Sequence, residues 1–305
     1  MTSVKSLLTA AAASLIATAA QAQMPYVELE IAATATNRSG DALASSGITF
    51  EDGSTTAGSI SGLAAFPLQN GIAFQVEGHF EHNSYQNPVQ IFGPFFGEAT
   101  DNYEASRQIA VQVSYAPGPQ LNYAAFVGHG RMRASDSDRE QDTNYTFGGV
   151  GFDYAMGPWD LGLDLGLVDS SAVDPEALDN GRFARVTGRY AFNDDRTALS
   201  LSVFRVSGEQ DTDSGSGPDP LRITGASVEV EHALNLQLGN ASSALFARAE
   251  LLDIRESGSC CVERVRDKNL ILGVRIRFGG AKPDQGVRGR QMNWVRIMGS
   301  VLAVD

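Results

Sequence analysis

Cysteine is almost absent from this chain of 305 residues: there are two, and they are adjacent, at Cys260 and Cys261. Neighbouring cysteines can bridge to each other or pair with another chain, but they cannot join distant parts of a fold. Neither has a second cysteine or a histidine at the spacing of a zinc site. The sequence therefore predicts no disulfide framework, no metal site and no cofactor, and it leaves Cys260 and Cys261 as a candidate local disulfide.

Positive charge is also scarce. The chain has 23 lysine and arginine residues against 36 aspartate and glutamate residues, so its formal net charge is −13 at pH 7. Proteins that bind nucleic acid or anionic lipid carry a basic footprint. The composition argues against partners of both kinds, and it predicts no nucleic-acid binding.

Long apolar runs are missing beyond the start of the chain: no later segment reaches the roughly 18 to 20 consecutive apolar residues of a membrane-spanning helix. The start has Lys5 before an apolar stretch over residues 6–20, and Ala20-Gln21-Ala22 fits the cleavage pattern of secretory signals. This predicts a signal peptide over residues 1–22, with a retained helix as the weaker alternative. Any membrane contact of the remaining chain is then expected through strands.

The chain does have apolar and polar residues that alternate with a period of two, in segments of about nine to thirteen residues. Twelve strands are predicted, an even number as bacterial barrels require. They cover residues 26–35, 56–67, 71–82, 103–116, 121–133, 145–156, 159–169, 182–193, 196–207, 221–233, 244–254 and 269–279.

The two faces of the predicted strands differ in chemistry. Residues 160–167 (DLGLDLGL) place leucine on one face and aspartate or glycine on the other, and residues 270–278 (LILGVRIRF) set an apolar face against Arg275 and Arg277. A soluble β-sandwich alternates in the same way, with its apolar face inward. Alternation alone does not separate it from a membrane barrel.

The connections favour the barrel. Short connections, such as residues 68–70 and 157–158, alternate along the chain with long polar ones, such as residues 134–144 and 209–220. An up-and-down barrel with tight periplasmic turns and long external loops has this order, and a Greek-key sandwich does not.

Aromatic residues gather at the strand ends, where amphipathic rings favour the level of the lipid headgroups. They predict two girdles, one at each end of the barrel. The set next to the short connections and the termini is Tyr26, Phe66, Tyr115, Tyr123, Tyr154, Trp159, Tyr190, Phe192 and Phe278, and the set at the opposite ends is Phe80, Tyr103, Tyr145, Phe183 and Phe204.

With these features the chain resembles the porin-type outer-membrane proteins of Gram-negative bacteria. Residues 273–278 (GVRIRF) are similar to their assembly signal, a glycine, alternating apolar residues and a closing aromatic. The resemblance implies an all-β fold, an up-and-down antiparallel transmembrane barrel of about twelve strands, with ten to sixteen allowed, over residues 23–280. It also implies that the protein is located in the cell outer membrane, contacts its lipid and lets small polar solutes or ions pass. Whether it forms a homo-oligomer stays open.

The chain departs from those proteins, which usually end on the aromatic residue, because it continues through residues 281–305. This tail carries four basic residues, among them Arg296, and an apolar stretch over residues 294–304. It is interpreted as a C-terminal periplasmic tail, on the inner leaflet or in the barrel mouth, or as a poorly ordered addition without function. The second interpretation is favoured.

If the apolar face meets lipid, the opposite face lines the lumen. Where the barrel closes, Arg275 and Arg277 are expected to face the glutamates of the first strand, and Arg185 and Arg189 to lie near the aspartates of the strand before them. The charges then either create a transverse field across a pore or fill a narrow lumen as ion pairs. The candidate pore-lining residues are Glu28, Glu30, Glu77, His79, Asp160, Asp164, Arg185, Arg189, Glu229, Arg248, Arg275 and Arg277.

The predicted loop over residues 83–102 differs from the other long loops because it is apolar and aromatic. Exposing such a cluster to water is unfavourable, so the loop is expected to pack somewhere. It is faintly similar to the inward-folded loop that narrows larger porins, with a subunit contact or a lid over the mouth as alternatives. The constriction candidates are Phe95, Phe96, Glu98 and Asp101.

A porin or small passive channel is the favoured function, and a plugged structural or adhesive barrel is the alternative. A lipid-modifying hydrolase is a third possibility, since one twelve-stranded family hydrolyses phospholipid with histidine, serine and asparagine on its lipid-facing wall. Such chemistry needs a base in reach of a serine and a group that orients the base. Only His82 and Ser84 have a suitable spacing, at a predicted strand end. The sequence predicts no enzymatic activity.

Overall fold

The computed structural model describes residues 25–42, 49–51, 53–87, 90–92, 103–134, 142–171, 178–192, 196–210, 219–238, 241–256, 262–279 and 292–301. In these residues, twelve strands form one closed antiparallel barrel, in which the first strand pairs with the last. The barrel strands are β1 (Tyr26–Ala42), β3 (Gly53–Pro67), β4 (Ile72–Asn87), β6 (Tyr103–Gly118), β7 (Leu121–Ala134), β8 (Asp142–Met156), β9 (Trp159–Ser171), β10 (Leu178–Phe192), β11 (Thr197–Gln210), β12 (Asp219–Leu238), β13 (Ala241–Glu256) and β14 (Val262–Phe278). The predicted architecture and the predicted strand number are confirmed.

Three further elements lie outside the barrel sheet. The short strands β2 (Thr49–Glu51) and β5 (Gln90–Phe92) pair with each other, and a helix, α1 (Trp294–Val301), follows the last strand. β5 falls in the segment that the sequence predicts as a long loop. No helix in the part of the chain that the structure describes is long and apolar enough to cross a membrane.

The two ends of the barrel differ in their connections. At the short-turn end, tight connections join β3 to β4 and β8 to β9, and both use a residue with positive φ, Asn70 (60°) and Gly157 (59°). The same end carries Tyr26 and Phe278, the first and last residues of the sheet. The other end, the long-loop end, faces the cell exterior in barrels of this type, because short turns lie in the periplasm.

Most strands extend further toward the long-loop end than the sequence predicts. β1 continues to Ala42 instead of residue 35, and β14 begins at Val262 instead of residue 269. Over residues 36–41 of β1 both faces are polar, and on β14 the inward-facing Val265 stands between charged residues. The alternation therefore fades although the backbone ladder continues. Since about 9 to 11 residues suffice to span a bilayer, strands of 17 residues also project beyond it.

The outer face of the barrel is aliphatic. Leucines at alternate positions of β9 point outward, and Asp164 and the glycines of the same strand point inward, as predicted. The outward-facing large apolar residues include Ile31, Ile60, Ile109, Val127, Val150, Leu161, Leu163, Leu165, Leu167, Val186, Leu201, Val203, Val228, Leu251, Leu270 and Leu272. A ring of exposed apolar residues around a closed sheet fits a lipid environment.

One of the two predicted aromatic girdles is present. At the short-turn end, Tyr115, Tyr123, Trp159, Phe192 and Phe278 are between 40% and 49% exposed on the outer face. Tyr26, which was predicted in the same girdle, is instead buried inside the barrel.

The second girdle was a wrong prediction. Tyr145, Phe183 and Phe204 are buried inside the barrel, whereas Phe80 does point outward. The side chain of Tyr103 lies outside the described residues. The prediction considered only how far along the strand each ring lies, but the face is decided by alternation: Phe183 shares its face with Arg185, which points into the lumen.

Leu163 lies near the middle of the outer face, directly opposite Phe152 and Val186. We expect Leu163→Arg to reduce the free energy of folding into a bilayer by about 2–4 kcal/mol, because a charge must enter the hydrocarbon. The matched change Asp169→Arg, on the same face near the long-loop end, should cost about 0–1 kcal/mol. Reversible urea unfolding in phospholipid vesicles measures both, and equal costs would contradict the assignment of this face to lipid.

Candidate functional site

The helix α1 lies inside the barrel. Trp294 is fully buried, with its ring 5.0 Å from Phe183 on β10 and 5.8 Å from Phe147 on β8. On the other side of the helix, Arg296 bonds to Glu81 on β4. A segment that touches the inner faces of β4, β8 and β10 at once must occupy the lumen. Residues 292–301 are therefore neither on the inner leaflet nor a poorly ordered addition, and they lie within the barrel instead of only at its mouth.

The packing of α1 explains why this short segment is helical. Trp294, Ile297 and Met298 are all buried, at the spacing of one helical face. Gln108 on β6 holds the start of the helix: its side-chain oxygen accepts from the backbone N–H of Trp294 at 3.0 Å, and its side-chain nitrogen donates to the carbonyl of Met292 at 3.1 Å. An isolated helix of eight residues is unstable in water, so α1 depends on these contacts.

Arg296 connects the helix to the opposite wall. Its guanidinium donates to Glu81 at 2.9 Å and to the hydroxyl of Thr34 on β1 at 3.0 Å, and it also reaches Glu250 on β13 at 3.4 Å. Glu81 and Arg296 are 1% and 7% exposed. Since a buried charge is strongly unfavourable without a partner, each of these two groups requires the other.

The half of the lumen toward the long-loop end is apolar, and α1 is part of its packing. Tyr145 and Phe147 on β8 lie against glycines of β7, Gly130 and Gly128, where an added Cβ would collide with the rings. The apolar zone consists of Ala110, Phe126, Met132, Tyr145, Phe147, Val168, Leu178, Phe183, Phe204, Val206, Leu221, Ile223, Leu252, Ile254, Val265, Met292, Trp294, Ile297 and Met298. The helix and the wall therefore form one hydrophobic core.

The half toward the short-turn end is charged. Arg275 donates to Glu30 at 2.9 Å, to Glu229 at 2.6 Å and to Glu231 at 2.5 Å, and its guanidinium also lies over the ring of Phe246 at 4.4 Å. These groups belong to the charged zone, which we define as Glu28, Glu30, Glu229, Glu231, Arg248, Arg275 and Arg277.

The predicted pairings of the charged zone occur. Glu28 stands directly opposite Arg277, and Glu30 directly opposite Arg275, on the closing strand pair. Arg277 donates to Glu28 at 2.9 Å and to Glu231 at 2.6 Å. The sequence did not predict that one arginine serves three carboxylates, because Glu229 and Glu231 come from β12, two strands away.

The remaining predicted pore-lining residues also lie on the inner wall. Arg185 pairs with Asp164 at 2.5 Å and Arg189 with Asp160 at 3.6 Å, as predicted, and the second pair lies at the short-turn mouth. On β4, Glu77 accepts from Gln75 at 2.6 Å, and His79 bonds to Ser61 on β3 at 3.1 Å.

The remaining candidates from the sequence are the possible hydrolase pair, the constriction loop and the two adjacent cysteines. His82 points outward on the lipid-facing side, but β4 continues to Asn87, so the predicted strand end at this point was wrong. The side chain of Ser84 lies outside the described residues. So do the constriction candidates Phe95, Phe96, Glu98 and Asp101, and both Cys260 and Cys261.

Sequence reasoning missed the residues that hold the helix, chiefly Trp294, Arg296 and Gln108. A signal was present: residues 294–301 (WVRIMGSV) have apolar residues at positions 1, 4, 5 and 8, the spacing of a helix with one apolar face. The partner residues on the wall carry no such signal, because a lumen-facing glutamine or aromatic has the same pattern whether or not a helix covers it.

No protein-family model and no curated protein matches the chain. Among solved structures, the chain is similar to a FadL homologue of Pseudomonas aeruginosa, with 8% identity, a TM-score of 0.45 and coverage of 85% of this chain and 90% of that one. It is similar to OccAB3 of Acinetobacter baumannii, with 8% identity, a TM-score of 0.39 and coverage of 83% and 99%. It is also similar to the translocator domain of the autotransporter NalP of Neisseria meningitidis, with 12% identity, a TM-score of 0.47 and coverage of 90% and 98%. The likeness concerns the barrel alone.

The position of α1 can be tested by fluorescence, because the chain has only two tryptophans, Trp159 and Trp294. In a Trp159→Phe background, Trp294 should emit at short wavelength and resist quenching by iodide. Arg296→Ala leaves Glu81 without its cation, so the helix should leave its pocket, and the emission should move to longer wavelength with stronger quenching.

The matched control is Arg189→Ala, which removes an ion pair at the short-turn mouth and should leave the spectrum unchanged. A Trp294 spectrum that does not respond to Arg296→Ala would show that this ion pair does not hold the helix.

Proposed function

We propose that the protein is a small passive channel of the outer membrane for polar solutes or ions, and that its own C-terminal helix closes it at rest. The observation that carries the proposal is the burial of α1 between opposite inner walls, with Trp294 on one side and Arg296 on the other. We further propose that the protein comes from a Gram-negative bacterium and is exported through a signal cleaved after Ala22.

The size of the barrel supports a lumen that a helix can close. Eight-stranded barrels are filled by side chains, and barrels of sixteen strands or more leave an aqueous channel. Twelve strands lie between these cases. A helix is about 10–12 Å wide with its side chains, so it can occupy a lumen that side chains alone would not fill.

The charged zone supports a polar permeant. It faces the short-turn mouth, and its glutamates and arginines form a hydrogen-bonded wall rather than an apolar one. A lumen lined by both signs of charge orders water and selects solutes by charge. Within the zone four carboxylates stand against three guanidinium groups, so a modest preference for cations is expected.

The proposal includes no catalytic step. His82 is exposed on the outer face and His129 and His232 bond to threonine hydroxyls, Thr146 and Thr197. The fourth histidine, His79, bonds to Ser61 at 3.1 Å and lies 3.6 Å from Glu81. Arg296 engages this carboxylate at 2.9 Å, so Glu81 binds the helix instead of orienting a catalytic imidazole. The proposed partners are therefore membrane lipid and the permeating solute.

The alternative is a permanently plugged structural or adhesive barrel. The apolar zone favours it, because α1 and the wall share one core around Trp294, Ile297 and Met298. The two functions differ in what happens when α1 is removed. A gated channel then conducts ions, whereas a structural barrel does not.

Conductance in a planar bilayer separates these functions. We expect the full chain to give rare and brief openings, and a chain that ends at Gly280 to give stable, discrete openings, because the truncation removes α1 and leaves every barrel strand intact. Silence of the truncated chain at high protein load, with the barrel folded as judged by its heat-dependent shift on gels, would contradict the channel and favour the structural barrel.

Ion selectivity tests the charged zone. In the truncated chain, Arg277→Gln leaves Glu28 and Glu231 without a shared cation, so the reversal potential in a salt gradient should move toward cation selectivity. Arg266→Gln removes an arginine from the outer face, where it pairs with Asp41, and should have no effect. If both variants keep the original reversal potential, Arg277 does not line the conducting path.

A further inference from the structure

Basic side chains gather on the outer face of the barrel at its long-loop end, although the protein is acidic as a whole. They lie above the aliphatic band on neighbouring strands, and among the side chains that the structure describes they outnumber the acidic ones of the same edge. In the described part of β10–β14 the basic residues are Arg182, Arg205, Arg222, Arg255, Arg264, Arg266 and Lys268. The acidic residues whose side chains the structure describes along that edge, including β1, are Asp41, Asp179, Glu209 and Asp253.

Four of these arginines form a single lateral row, which we call the arginine row: Arg182, Arg222, Arg255 and Arg264. Strand pairing sets the row. Arg182 and Arg222 both stand opposite Ser207 on β11, from β10 and β12. Arg222 stands directly opposite Arg255, and Arg255 directly opposite Arg264. Adjacent strands are about 4.7–4.9 Å apart, and like charges directly opposite each other are destabilising, so the row requires negative charge nearby.

The protein supplies only part of that charge. Asp253 is shared by Arg255 at 3.1 Å and Arg264 at 2.5 Å, and Asp41 pairs with Arg266 at 2.7 Å. Within the residues that the structure describes, Arg182, Arg205 and Arg222 make no ion pair. The row therefore has unused capacity for an anion, centred on β11 and β12.

The outer surface between the row and the middle of the barrel wall is aliphatic and exposed. Val203 is 60% exposed, Leu251 56%, Leu270 53% and Val228 40%. The outer face thus has arginines at the headgroup level and aliphatic side chains at the level of acyl chains. Guanidinium groups bind phosphate through paired hydrogen bonds, which fits them to a phosphorylated headgroup better than lysines.

We propose that the arginine row is a binding site for the phosphate groups of an acylated, phosphorylated glycolipid in the external leaflet, with its acyl chains on the aliphatic surface around Val203 and Leu251. The site faces the cell exterior, because the long-loop end does. This proposal reverses the expectation from composition that the protein has no basic surface for anionic lipid. The net charge is negative, but the arginines are concentrated at one place on the outer face. The site is independent of whether the lumen conducts.

Retention of lipid A tests the proposal. The full-length protein is incorporated into phosphatidylcholine nanodiscs that contain a small fraction of bis-phosphorylated lipid A, and the bound lipid is measured by native mass spectrometry and by the rise in thermal stability. The variant combines Arg182→Gln, Arg222→Gln and Arg255→Gln, and the single variant Arg222→Gln serves if the triple variant folds poorly. The control is Arg196→Gln, an exposed arginine at the short-turn end.

We expect the triple variant to bind lipid A roughly tenfold to a hundredfold more weakly, since each basic residue contributes to binding an anionic lipid surface. The Arg196→Gln control should bind as the unchanged protein does, and lipid A without its phosphates should bind weakly to both. Two results would overturn the proposal: equal lipid A binding by the triple variant, or an equal stabilisation by inorganic phosphate alone, which would identify a site for a free anion instead of a lipid.

Discussion

The pairing of β1 with β14 is the constraint on which the rest of the structure depends. Hydrocarbon offers no water to an unpaired strand edge, so a sheet can cross a bilayer only when it closes on itself. Here the closing ladder runs in one register from Val27 opposite Phe278 to Asp41 opposite Arg264. Closure separates two surfaces that a flat sheet would share: an aliphatic exterior and an interior in which Arg275 has three glutamates within reach.

Closure also creates an interior that must be filled. The strands supply ion pairs at the short-turn end, and at the long-loop end they supply a wall of apolar side chains that only a further apolar element can cover. The helix α1 provides it through Trp294, Ile297 and Met298. Arg296 makes the fit specific, because Glu81 is buried and, within the described residues, Arg296 is the arginine that pairs with it. The helix therefore occupies the lumen because the apolar side chains of the wall must be covered and the buried charge of Glu81 must be paired.

Much of the barrel could be predicted from the sequence because a strand that separates lipid from a polar interior repeats every two residues. This repeat gave the strand number, the outward leucines of β9 and the pairing of Arg277 with Glu28. The repeat fails over residues 36–41 of β1, where both faces are polar, and over residues 263–268 of β14, where Val265 is a single apolar residue among charged ones. The long-loop ends of these two strands were therefore not predicted. The two-residue repeat was also not applied to the aromatic residues of the predicted second girdle. Phe183 lies two residues from Arg185, so both side chains point inward. The helix was missed because no strand-based rule describes what enters the lumen.

The helix in the lumen is the central claim about this structure. An experimental structure tests it most directly. A crystal or electron microscopy structure of the full chain in a lipid environment should show residues 292–301 as a helix within the barrel, with the guanidinium of Arg296 near 2.9 Å from the carboxylate of Glu81. A water-filled lumen, with the same residues ordered outside the barrel or without density, would contradict the account.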